Sequence, residues 1–126
     1  MNTLDLHVAE RFKVGSDITA IDYLKALRRI SKLAGEANEK MHHIDAIVAP
    51  TIPVIPPTVE QVEDPTSYKR YLGQMTQNTH PANLLEMCAI TMPVGLDGVG
   101  MPVGLQFIAR ERCEERLLAL AFACEK

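Results

Sequence analysis

Nucleophilic chemistry in this chain would draw on Ser16, Ser31 and Ser67, on Cys88, Cys113 and Cys124, and on a base among His7, His42, His43 and His80. A nucleophile becomes useful when a base lies within hydrogen-bond reach and a third group orients that base. None of the serines stands in a Gly-x-Ser-x-Gly elbow. Ser31 falls in the middle of a helical pattern and Ser67 in the first turn of another. At such positions a hydroxyl caps the helix or faces solvent. Cys88 enters a strand pattern and Cys124 sits in an apolar helical one. Both read as buried structural thiols, so Cys88 paired with a histidine is only a residual enzyme reading.

Metal binding fares no better. His42 and His43 are adjacent, and neighbouring side chains on a regular helix point in different directions. They suit the last carbonyls and the dipole of a helix end instead. No His-x-x-x-His or Cys-x-x-Cys spacing occurs, so no metal site is expected. Gly98-x-Gly100-x-x-x-Gly104 lacks the phosphate-loop spacing, no lysine follows it, and no helix begins there. Those glycines read as turn and bulge residues. Glu114-Glu115, and Glu60 near Glu63-Asp64, lie at helix starts or in a loop, where solvation accounts for them. Residue types and spacing therefore point to no catalytic residue and to no cofactor.

The elements that would hold any site are clearer. Residues 1–14 carry a weak helical pattern that ends near Gly15. Thr19 to Asp22 resembles a capping box with Asp replacing Glu or Gln. From there Ile21, Leu24, Leu27, Ile30, Ala34, Ala37 and Met41 recur at spacings of three and four, which predicts a helix over 20–41. The run 44–49 is apolar almost throughout and reads as a short strand in a parallel or central position. Pro50, Pro53, Pro56 and Pro57 then impose an extended loop. Asp64-Pro65 opens a helix that runs to about Thr76. Thr79-His-Pro81 resembles a second cap, followed by a short helix through Met87. Residues 88–96 and 101–109 form two strands around Asp97-Gly98, a hairpin signal, and repeat Pro-Val-Gly-Leu at 93–96 and 102–105. Residues 114–126 close with a helix that starts on Glu and ends on Lys, as its dipole favours. The fold class is α/β, with about three strands including one hairpin and flanking helices. The mostly buried strand needs cover on both faces, so the sheet is expected to be part of a larger one.

Composition excludes several classes. Net charge is −3, and no basic run exceeds a pair such as Arg28-Arg29, which speaks against nucleic acid. No apolar run approaches the ~18–20 residues that span a bilayer. The N-terminus lacks the basic and apolar regions of a signal peptide. An odd cysteine count in that context suggests free thiols in a reducing compartment, hence the cytoplasm.

Several phrases, taken in order, resemble the C-terminal portion of the amidase signature family. They are Asp45-Ala-Ile-Val-Ala-Pro-Thr51, Asn78-Thr-His-Pro-Ala-Asn83, Cys88-Ala-Ile-Thr-Met-Pro-Val-Gly95 and Gly100-Met-Pro-Val-Gly-Leu-Gln106. Arg11 to Gly15, Asp22-Tyr23 and the terminal helix from Glu115 also fit. The resemblance implies that residues 1–126 are a single partial domain, the C-terminal part of an amidase-type mixed sheet. Such enzymes hydrolyse amide bonds with two serines and a lysine from an upstream Gly/Ser-rich region. This sequence has no matching run, so no catalytic residue carries over and the chain is not expected to be catalytic alone. The resemblance further implies that the Asn78–Asn83 turn and the Pro-rich loop at 50–57 wall an acyl pocket. Thr79 and Asn83 are its candidate substrate-side residues, with helix capping as their alternative role. Glutamine-dependent amidotransferase subunits carry an acidic residue a few positions before this turn, where Thr76 stands here. That departure implies a small-molecule amide substrate. The alternative is a stand-alone interaction or scaffold protein on the same fold, whose uncovered sheet would drive homo-oligomerisation.

Overall fold

In the computed structural model, which describes residues 6–125, three strands make one antiparallel sheet in the order β1–β3–β2. The strands are β1 (Ile47–Pro50), β2 (Cys88–Leu96) and β3 (Pro102–Ala109). Five helices accompany them: α1 (Leu6–Ser16), α2 (Ala20–Lys40), α3 (Pro65–Thr76), α4 (His80–Leu84) and α5 (Glu114–Cys124). The order of helices and strands is the one read from the sequence. Residues 1–5 of the first helical pattern, and Lys126, lie outside the described residues.

Strand alternation sorts the side chains onto two faces. Cys88, Ile90 and Met92 of β2 pair with Ala109, Phe107 and Leu105 of β3 and share one face. Helix α5 packs there, placing Leu117 against Phe107 and Ala109 in the buried core. Gln106 and Ile108 point to the opposite face and are buried as well. There the Gln106 amide donates to the backbone carbonyl of Asn78, in the turn between α3 and α4. Helix α5 thus covers one face of β3, and the turn between α3 and α4 reaches the other.

The sequence reading misplaces the strand at 44–49. Regular pairing begins at Ile47, β1 runs antiparallel to β3, and it occupies an edge of the sheet. Val48 is 51% exposed and Ile47 43%. An apolar run shows that a strand is suited to cover on both faces, but not that the chain itself supplies the cover. The central, buried strand is β3, whose hydrophobicity is diluted by Pro102, Gly104 and Gln106.

Local chemistry explains the helix ends. The Thr19 hydroxyl accepts from the Asp22 N–H at 3.1 Å and donates to the Asp22 carboxylate at 2.7 Å. Asp64 accepts from the Ser67 N–H at 2.8 Å and caps α3. The second expected cap is not made. Thr79 has helical backbone angles, so its hydroxyl turns back and donates to the Thr76 carbonyl at 3.0 Å. Helix α4 ends at Leu84, short of Met87, where Glu86 takes a left-handed conformation (φ 58°). The Met87 N–H returns to the Ala82 carbonyl, as in a Schellman closure.

The hairpin turn also differs in detail from a two-residue Asp-Gly turn. The Asp97 carboxylate accepts from the N–H groups of both Val99 and Met101, at 2.9 and 2.8 Å. The positive φ falls at Gly100, not Gly98. Between Pro93 and Gly95 the β2–β3 register slips, so the irregularity follows directly on the proline of this edge strand.

Burial along α2 rises only towards its C-terminus. Ile21, Leu24 and Leu27 are exposed, whereas Met41, in the short turn that follows, is buried. Truncation should separate these environments. Leu117→Ala is expected to cost about 2–5 kcal/mol through lost burial and a cavity. Leu24→Ala on the exposed stripe should stay within about 0.5 kcal/mol. Urea unfolding of both variants checks this, and equal losses would contradict the packing described.

Candidate functional site

Where β1 ends, the chain crosses the sheet's second face and opens a cleft of about 410 Å³. One wall is the segment Pro50–Pro56; the other is Pro102–Gly104, with Asp97 and Thr91 completing the lining. The lining is largely apolar, with Thr51, Thr91 and Asp97 as its residues with polar side chains.

The base of this cleft has a specific construction. Thr51 continues the β1 alignment, and its N–H donates to the Gly104 carbonyl at 2.8 Å. Its hydroxyl meets the Thr91 hydroxyl at 3.2 Å, bridging from the β1 side of β3 to the β2 side. The bridge passes over Gly104. A Cβ at Gly104 would lie 2.9 Å from Thr51 Oγ1 and 2.9 Å from Thr91 Cγ2, closer than real Cβ contacts come. Glycine is therefore required at position 104 so that two threonines can meet over the central strand.

Asn78 braces the same corner from the helical side. Its side-chain amide donates to the Pro50 carbonyl at 2.8 Å. Sequence reasoning placed Asn78 only within a longer phrase, did not single out Thr51 or Thr91, and read Gly104 as a turn or bulge glycine, whereas it lies paired within β3. The available signal was Gly104 itself, a glycine inside a strand pattern, which marks a close approach. That approach is by side chains rather than by another backbone.

The sequence-chosen residues lie beside this corner rather than in its lining. Thr79 is half-buried with its hydroxyl committed to the Thr76 carbonyl, and Asn83 is exposed on α4. The Thr76 hydroxyl donates to the Leu72 carbonyl at 2.7 Å, within its own helix. His42 and His43 pack edge to face at 5.4 Å. Cys88 donates its thiol hydrogen to the Arg110 carbonyl at 3.0 Å. Among the described residues no group of three His, Cys, Asp or Glu side chains could hold a metal ion, and the three cysteines are free thiols. No helix among them is long and apolar enough to cross a membrane.

The four phrases that resembled a family now have a common location. Residues 45–51 form β1 and its exit, 78–83 the braced turn and α4, 88–95 most of β2, and 100–106 the start of β3. The sequence pattern of the family described as Amidase matches residues 5–118. The chain belongs to the amidase family. Among amidase relatives, a 2-amino-5-chloromuconic acid deaminase from Comamonas testosteroni is 32% identical over 97% of this chain and 26% of its own length. A fatty acid amide hydrolase from Medicago truncatula is 39% identical over 86% of this chain and 18% of its own length. The crystal structure of a glutamyl-tRNA(Gln) amidotransferase subunit from Thermotoga maritima superposes with a TM-score of 0.64 and 31% identity. That match covers 92% of this chain and 26% of that one. The chain thus spans about a quarter or less of the length of these amidase relatives. Agreement with the solved amidase-fold structure bears out the α/β reading.

The Gly104 contact makes a direct prediction. Gly104→Ala should cost about 1–3 kcal/mol by overpacking. Thr51→Ala removes one clashing atom and should recover part of that loss in the double variant. A thermal-unfolding cycle over the four proteins measures the coupling, and strictly additive effects would refute the contact.

Proposed function

We propose that this chain is the C-terminal portion of an amide-bond hydrolase, and that it supplies part of the substrate wall but none of the reacting groups. The observation that carries the reading is a mismatch of coverage. The family pattern runs through residues 5–118, yet the chain corresponds to about a quarter of its relatives' length and contains no Gly/Ser-rich run. The serine pair and lysine of the amidase signature belong to sequence outside that quarter. The apolar cleft beside Thr51 and Thr91 suits the acyl side of an amide substrate, because apolar walls with few polar groups orient a ligand chiefly by shape. We place Thr79 and Asn83 on the substrate side of the same corner, next to Asn78. Thr76, where amidotransferase subunits carry an acidic residue, supports a small-molecule amide as the substrate.

A specific observation favours a second, compatible reading, self-association. Exposed apolar side chains gather on the Ile21, Leu24 and Leu27 stripe of α2 and at Leu118 and Phe122 of α5. Strand β1 leaves one edge unpaired among the described residues. Such surfaces associate in water. A cytoplasmic location fits the free thiols.

Two measurements test these readings. Purified chain should release no ammonia or amine from a panel of aliphatic and aromatic amides, and a serine-directed fluorophosphonate should leave it unlabelled. Turnover that this reagent abolishes would overturn the first reading. Light scattering should give a mass above that of one chain, decreasing in Leu24→Lys/Phe122→Lys; a concentration-independent monomer would remove the second.

A further inference from the structure

One peptide group at the start of the cleft's wall is bonded on both sides. The peptide joining Pro50 and Thr51 has both polar atoms engaged, and by different elements. Its carbonyl accepts from the Asn78 side-chain amide at 2.8 Å, and its N–H donates to the Gly104 carbonyl at 2.8 Å. Asn78 is itself held, because its backbone carbonyl accepts from Gln106 Nε2 at 2.8 Å. Gln106 is 2% exposed and lies two residues along the same central strand from Gly104. The bonds form a circuit that leaves β3 at Gln106, passes through Asn78 and the Pro50–Thr51 peptide, and returns to β3 at Gly104.

Beyond Thr51 that support stops. Among the described residues no hydrogen bond holds 52–57, and Pro53, Pro56 and Pro57 have no N–H to offer. The next bond is that from the Thr58 N–H to the Gln61 side chain. The segment is stiffened by proline and carries no hydrogen bond between its base at Thr51 and the turn that begins at Thr58.

We propose that Asn78 is a positioning residue that sets the placement of the Pro-rich wall, and with it the width of the cleft, through the Pro50–Thr51 peptide. This rests on reading the cleft as the substrate side of an amide hydrolase. Asn78 touches no reacting group; it acts through the peptide it holds. Asparagine suits the task because its amide donates to the Pro50 carbonyl while its backbone carbonyl remains free for Gln106. The circuit also gives Gln106 its role. A fully buried amide in a strand costs stability unless bonded, and this bond anchors the brace to the core.

The test uses the 126-residue chain and needs no turnover, so it stands apart from the assay for hydrolysis. Asn78→Asp keeps the shape but offers no donor when ionised, whereas Asn78→Gln keeps the donor. Amide exchange by NMR should show Thr51 at least about tenfold faster in Asn78→Asp, with Ile90 and Phe107 in the sheet protected as before. Methyl resonances of Ile52, Ile55 and Val103, which line both walls, should shift in the same variant. Asn78→Gln should restore most of the Thr51 protection. Unchanged Thr51 exchange and unchanged cleft methyls in Asn78→Asp would overturn the proposal. So would loss of protection across Ile90 and Phe107, which would make Asn78 a general determinant of the fold.

Discussion

Strand β3 is hydrogen-bonded along both edges and buried on both faces, and β1, β2, α5 and the turn between α3 and α4 take their places relative to it. On one face Phe107 and Ala109 receive α5 through Leu117. On the other, Gln106 reaches the turn between α3 and α4. An antiparallel strand with two partners has its backbone donors and acceptors satisfied, which makes it the element of this chain least able to move. Its mixed composition follows from that position. Apolar side chains fill the α5 face, while the opposite face admits a glycine and a glutamine because specific neighbours need the room and the hydrogen bond.

The cleft is a consequence of the same strand. Gly104 has no side chain, so Thr51 and Thr91 can bridge above it, and its carbonyl accepts the Thr51 N–H. Two residues along, Gln106 secures Asn78, which secures the carbonyl of the same peptide. The start of the Pro-rich wall is therefore fixed by backbone and amide bonds at the Pro50–Thr51 peptide. Proline supplies stiffness, but with no N–H it cannot choose a direction.

The remaining surfaces describe a chain whose apolar inventory exceeds what it buries. Helix α2 has the period of a packed helix, yet its first half meets solvent; β1 has the composition of an interior strand, yet lies at an edge. Both features agree with membership of a family whose compared members are roughly four to five times longer. Hydrophobic periodicity records the environment for which a segment is suited. Burial records what the segment meets.

Much of this was legible in one dimension. Helix periods, the Thr19 and Asp64 caps, the hairpin around Asp97 and the order of elements follow from local preferences, which act between residues three or four apart or across a turn. The ordered phrases at 45–51, 78–83, 88–95 and 100–106 identified the amidase family, and the absence of a Gly/Ser-rich run kept the reacting groups out of the reading. Tertiary structure alone decided that β3 rather than β1 is central, that the Thr79 hydroxyl turns back on its own turn, and that Asn78, Thr51, Thr91 and Gly104 converge on one corner. The central place of β3 and the convergence on that corner depend on pairings between residues separated by tens of positions, such as Asn78 with Pro50 and Thr51 with Thr91. Composition and spacing do not encode which distant strand edge or carbonyl a polar group will meet. Folding settles that choice when it satisfies the buried backbone and amide groups around β3 together.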